Sequence, residues 1–159
     1  PHPRAASWNN TAETSWKPDT REQTLEIIRR DNPEPLDTHS LHVYATHDVT
    51  KELAAWATNH VDYLGPVVAQ ARAMERPVWI GEFGLPSKGD EAGERAKFEA
   101  LIDAMERTGV DLAAVWVFDL ANQKEWNATF ANSRAYMLRL VAGANRRWND
   151  AAAPPAPGG

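Results

Sequence analysis

The sequence contains no cysteine, no apolar run longer than the seven residues from Leu112 to Phe118, and no basic block. The first absence excludes disulfides, thiolate metal ligands and cysteine nucleophiles. The second falls far short of the roughly 20 residues that a membrane-crossing helix needs, so no membrane partner is expected. The third, with 17 Lys and Arg against 22 Asp and Glu and a net charge of −5, removes the cationic surface on which nucleic-acid binders depend. No glycine-rich loop follows any predicted strand, so nucleotide phosphates find no cradle. What remains is a chain of 159 residues, 43% hydrophobic and 25% charged, with the make-up of one soluble globular domain.

The ends differ from the rest. The chain opens at Pro1 with neither a methionine nor a signal-like apolar segment, and closes on a Pro/Ala/Gly run from Ala151 to Gly159. Such a run cannot pack a core. Residues 1–149 therefore read as the folded part, residues 150–159 as a tail, and the whole as a piece of a longer protein.

Between the ends the pattern alternates. Thr20-Arg21-Glu22-Gln23 has capping-box spacing, and Leu25 and Ile28 follow at helical intervals, predicting a helix over 21–30. Pro33 and Pro35 forbid its continuation. Thr38 to Tyr44 reads as a short strand. A second helix ends near Met74, with Leu64, Val67, Val68 and Ala71 on one face and Pro66 expected in its first turn. Val78 to Phe83 is rich in strand formers. Phe98, Leu101, Ile102 and Met105 then mark a third helix, with Gly109 where a C-terminal cap belongs. Leu112 to Phe118 reads as a parallel strand covered on both faces, and a last helix is predicted over 133–147. This is an α/β order with parallel strands and crossover helices. A whole eight-stranded barrel takes about 250 residues, so about three βα units with a preceding helix predict the C-terminal portion of a (β/α)8 TIM barrel.

In such barrels the chemistry sits where the strands end. The three predicted strands end in His42-Val43-Tyr44, Gly81-Glu82-Phe83-Gly84 and Trp116-Val117-Phe118-Asp119. His42 and Tyr44 are two apart and share a face. By the same alternation Val78, Ile80 and Glu82 share a face, which would set a carboxylate atop an apolar column, with Trp79 opposite as core under a helix. Gly81 and Gly84 clear space beside Glu82. Glu82 is the leading catalytic candidate. His39, His47 and Asp48 lack a coherent third partner, so no metal is expected. No cofactor is expected either. The sequons at Asn9 and Asn127 carry no functional weight.

These strand ends resemble glycoside hydrolases of the cellulase-like family 5. The matching segments are Asp37-x-His39-Ser40-Leu41-His42-Val43-Tyr44, then Pro77-Val-Trp-Ile-Gly-Glu-Phe-Gly84, then a Trp closing the next strand. Pro3-Arg4-Ala5-Ala6 and Trp16-Lys-Pro-Asp19-Thr20 look like the segment after that family's fifth strand. The resemblance implies that Glu82 is the nucleophile of a retaining hydrolysis, which attacks the anomeric carbon and forms a glycosyl-enzyme. It implies that Tyr44 orients that carboxylate, that His42 contacts a sugar hydroxyl or the acid/base partner, and that Trp116 stacks on the sugar ring. Phe118 shares the Trp116 face, and Asp119 can cap the loop that follows. The implied substrate is a plant-type polysaccharide such as a β-1,4-glucan, and the implied location extracellular or periplasmic.

A retaining glycosidase needs a second carboxylate about 5–5.5 Å away as general acid. The family carries it in an Asn-Glu-Pro signature on the fourth strand, which by this mapping precedes Pro1. Asn32-Pro-Glu34-Pro imitates that signature but precedes a strand, at the bottom of a barrel. The general acid and the N-terminal barrel half are thus expected from outside this chain. Two other readings stay open: a catalytically silent half-barrel that binds sugar or self-assembles, and an unrelated barrel enzyme using Glu82 as general base.

Overall fold

The structure is a computed structural model that describes residues 19–46, 49 and 54–152. The segments at Pro3–Ala6 and Trp16–Lys17, with Asn9, His47 and Asp48, lie outside the described residues, as does 153–159. The element order is α1 (Arg21–Asp31), β1 (His39–Tyr44), α2 (His60–Ala73), β2 (Val78–Gly84), α3 (Glu91–Thr108), β3 (Leu112–Val115) and α4 (Ala135–Ala152). The three strands form one parallel sheet in the order β1-β2-β3.

Local chemistry sets the helix ends. Thr20 and Gln23 form the predicted capping box, each side chain satisfying the other's backbone N–H. At the other end of α1, Asn32, before Pro33, leaves the helical region as the proline requires (φ −122°, ψ 63°), and its side chain caps the helix. Its amide donates to Ile28 O at 2.8 Å and to Ser40 O at 3.3 Å, and its Oδ1 accepts from Ser40 N at 2.9 Å. One buried side chain therefore caps the helix and stitches it to β1. Asn59 caps α2 through Asp62 N at 3.0 Å. That cap starts the helix six residues earlier than Pro66 suggests, so Pro66 sits in the second turn, and the backbone donor it lacks would have served the exposed Asp62. Gly109 ends α3 with φ 75°, a conformation glycine adopts at little cost. α4 starts at Ala135 and runs to Ala152, into the segment read as tail.

The helices cover one face of the sheet. Leu41 and Val43 from β1 and Val78, Ile80 and Phe83 from β2 are buried there, against Tyr63, Leu64, Val67 and Val68 of α2 and Phe98, Leu101 and Met105 of α3. Phe83 stacks on Phe98 with centroids 5.5 Å apart. On the other face Trp79 is 44% and Leu112 58% exposed. Two expectations fail here. Trp79 is not core beneath a helix. Leu112 to Phe118 is not a strand covered on both faces, because only Leu112–Val115 pair, with alternating exposure. The apolar run is real, but half of it faces the uncovered side of a strand at the sheet's edge.

Two buried arginines tie the loops down. Arg76 donates to Asn32 O at 2.8 Å and pairs with Glu34. Arg134, before α4, meets Glu94 of α3 at 3.3 Å and also donates to Leu85 O. Glu94 in turn accepts from Lys88 N and Ser87 Oγ. The loop leaving β2 is thereby pinned to α3 and α4.

Candidate active site

β1 and β2 pair in register from His39↔Val78 to Leu41↔Ile80, then jump to His42↔Glu82. Gly81 is thus an extra residue on β2, a bulge of two residues against one. A Cβ at Gly81 would lie 3.0 Å from His42 Nε2 and 3.5 Å from Ser40 Oγ, so Gly81 and Glu82 both face the side of β1 that carries Ser40 and His42. Glu82 faces away from the helices, as expected, but the bulge breaks the shared face that strict alternation gave it: Val78 and Ile80 go with Phe83 to the helices. The isolated glycine was the available signal, since a glycine inside a strand pattern often marks a bulge.

The bulge delivers Glu82 to β1. The Tyr44 hydroxyl donates a hydrogen bond to Glu82 Oε2, and His42 Nδ1 lies 3.3 Å from the same oxygen. The side chains of His42 and Glu82 are 31% and 26% exposed, so the carboxylate is reachable yet held. Burial, then the hydrogen bond and charge of Glu82, push the Tyr44 phenol above the ordinary tyrosine range. Tyr44 therefore keeps its proton at neutral pH and acts as a donor.

Trp116 leaves β3 at the same end of the sheet. Its N–H bonds Phe83 O at 2.8 Å, its carbonyl abuts Gly84, and the peptide bond to Val117 is cis. Its indole N–H is turned to Gln123 Oε1 at 2.8 Å. Of the four predicted site residues, Glu82, His42 and Tyr44 meet directly, and the Trp116 backbone contacts Phe83 and Gly84, the two residues after Glu82. Phe118 is 58% exposed. Asp119 adopts φ 50°, but the loop after it is capped by Asn127, whose Oδ1 accepts from Leu120 N at 3.0 Å. Sequence reasoning missed Trp126, which meets the Tyr44 ring edge-on at 5.3 Å. It lies in an irregular loop without periodicity, so only its aromatic character could have flagged it.

His39 takes no part. It is fully buried on the helix face, and burial depresses its imidazole's pKa. Glu34 is at the wrong end of the sheet. Its partner Arg76 precedes β2, six residues before Glu82, on the order of 20 Å at about 3.3 Å per residue. Among the described residues no group of three or more His, Asp or Glu could hold a metal ion.

No protein-family model and no curated protein sequence matches the chain. Solved structures do. An endo-β-1,4-mannanase from Thermotoga petrophila aligns over 87% of this chain and 30% of its own, at 14% identity and a TM-score of 0.54. An endoglucanase aligns over 76% and 43%, at 18% identity and 0.54. A variant endo-β-1,4-glucanase from Xanthomonas axonopodis pv. citri aligns over 90% and 46%, at 17% identity and 0.51. The chain thus spans less than half the length of each of these structures. At such identities the likeness is one of fold, and it is the fold that the strand-end motifs implied: the chain forms part of a (β/α)8 barrel similar to those of endo-β-1,4-glucanases and endo-β-1,4-mannanases.

Proposed function

We propose that this chain supplies the nucleophile half of a retaining, endo-β-1,4-glucanase-like β-glycoside hydrolase and corresponds to the C-terminal part of its barrel. The observation that carries the reading is the convergence of Tyr44 and His42 on a single oxygen, Oε2, of a part-exposed Glu82 at a strand's C-terminal end. The Tyr44 O–H and His42 Nδ1 both engage Oε2 and so hold the carboxylate's rotamer, which leaves Oε1 as the attacking oxygen. Oε1 would bond to the anomeric carbon as the glycosidic C–O bond breaks, and the departing oxygen would take a proton from a general acid on a strand outside this chain. Water, giving a proton to that same group now acting as base, would then attack the carbon as the C–Oε1 bond breaks and frees Glu82. Trp116, close to the end of β2, would lie under the sugar ring, and His42 beside a hydroxyl.

The test is Glu82→Gln in the complete protein, assayed on a soluble β-1,4-linked oligosaccharide. Turnover should fall by several orders of magnitude with stability nearly unchanged, because the amide is isosteric but a poor nucleophile. Retention of anomeric configuration should accompany wild-type hydrolysis. An unchanged rate in the variant contradicts the nucleophile assignment. No hydrolysis by the complete wild-type protein would leave a sugar-binding barrel.

A further inference from the structure

Tyr44 can orient Glu82 only if its own ring is held, and β1 fixes no more than its backbone. The ring meets Trp126 edge-on, with centroids 5.3 Å apart and planes at 68°, the arrangement that aromatic quadrupoles favour. Trp126 is not a core residue: it is part-exposed and belongs to the loop after β3. Yet that loop is fastened from three sides. Trp126 N donates to Gln123 O at 3.0 Å, Trp126 O accepts from Val117 N at 3.4 Å, and the preceding Glu125 O accepts from Ser87 N at 2.6 Å. Val117 and Ser87 lie on the segments that leave β3 and β2, the strands bearing Trp116 and Glu82. Gln123, in the same turn, holds the Trp116 indole. One turn thus contacts both aromatic side chains of the site, Tyr44 through Trp126 and Trp116 through Gln123.

The geometry points to Trp126 as a positioning residue: its ring edge holds the Tyr44 phenol where the O–H reaches Glu82 Oε2. The chemistry rests on the hydrolase reading above, whereas the geometry does not. Without the indole, the Tyr44 ring loses this edge contact, and its hydroxyl is held less firmly against Glu82 Oε2. The carboxylate then loses its donor, as it would in Tyr44→Phe.

Two measurements test this. In the chain itself, the Tyr44 hydroxyl proton, assigned by its loss in Tyr44→Phe, should be observable by NMR as a slowly exchanging, hydrogen-bonded signal. It should vanish in Trp126→Ala and in Trp126→Leu, which keeps apolar bulk without the ring, and persist in Trp126→Phe. In the complete enzyme, Trp126→Ala should lower kcat about 10- to 100-fold, the scale of losing one orienting partner, with KM changed far less. The Tyr44→Phe/Trp126→Ala double variant should be no slower than Tyr44→Phe, because both remove one interaction. An unchanged hydroxyl signal in folded Trp126→Ala or Trp126→Leu overturns the inference, as do multiplying kinetic losses. If instead Glu82→Gln leaves hydrolysis intact, the nucleophile reading fails while the NMR result still judges Trp126.

Discussion

Gly81 and Gly84 flank Glu82, and alanine should have very unequal consequences at the two positions. At Gly84 the new methyl would fall inside the van der Waals envelope of the Trp116 carbonyl oxygen, with the carbonyl carbon at 3.3 Å. That obstacle is backbone, and it cannot retreat without stretching the 2.8 Å bond from Trp116 N to Phe83 O. Overpacking of this kind costs about 1–3 kcal/mol, and loss of the hydrogen bond adds about 1 kcal/mol. At Gly81 the obstacles are His42 Nε2 at 3.0 Å and Cδ2 at 3.2 Å, the far end of a side chain that is 31% exposed and can turn aside. The gain of about 0.4–1 kcal/mol from a less flexible unfolded chain offsets most of that displacement. Gly84→Ala should therefore be less stable than Gly81→Ala by about 2–3 kcal/mol, which at this size is roughly 5–10 °C in melting temperature. Urea and thermal unfolding followed by circular dichroism would measure both. Equal shifts, or a silent Gly84→Ala, would refute the claim that the end of β3 is seated on a bare α-carbon.

The buried Arg134–Glu94 pair makes a second prediction. Arg134→Met strands a buried carboxylate and should cost about 3–5 kcal/mol in chemical denaturation, whereas Arg134→Met combined with Glu94→Leu should recover part of that loss. His39 gives a pH dependence. Burial, reinforced by the Arg76 charge, depresses its folded-state pKa, so below about pH 6.5 the unfolded chain takes up a proton that the folded chain resists. Stability should fall with pH from there down to that depressed value, and His39→Leu should lack this component when unfolding free energies of the two proteins are compared across pH.

How much of this was legible depends on how local each signal was. The α1 capping box, the Gly109 cap and the apolar face of α3 were readable because each is written within a few consecutive residues. His42, Tyr44 and Glu82 were readable as a group because strand ends converge in a parallel α/β fold. The side taken by Val78, Ile80 and Trp79 was not, because the bulge at Gly81 breaks their alternation with Glu82 and only the pairing with β1 reveals it. Burial of Trp79 was misjudged for the same reason: an apolar residue in a strand does not say which face its neighbours cover. Trp126 and the stitch made by Asn32 rest on contacts between segments far apart in sequence, and no spacing rule reports those.

The central claim is that Glu82 forms a covalent bond to sugar. The most direct test treats the complete protein with a fluorinated β-glycoside whose glycosyl-enzyme turns over slowly, then maps the labelled peptide by mass spectrometry. A single sugar adduct on the peptide containing Glu82, absent in Glu82→Gln, is the predicted result. Rapid hydrolysis of the natural linkage with no adduct, or an adduct on another carboxylate, would contradict it.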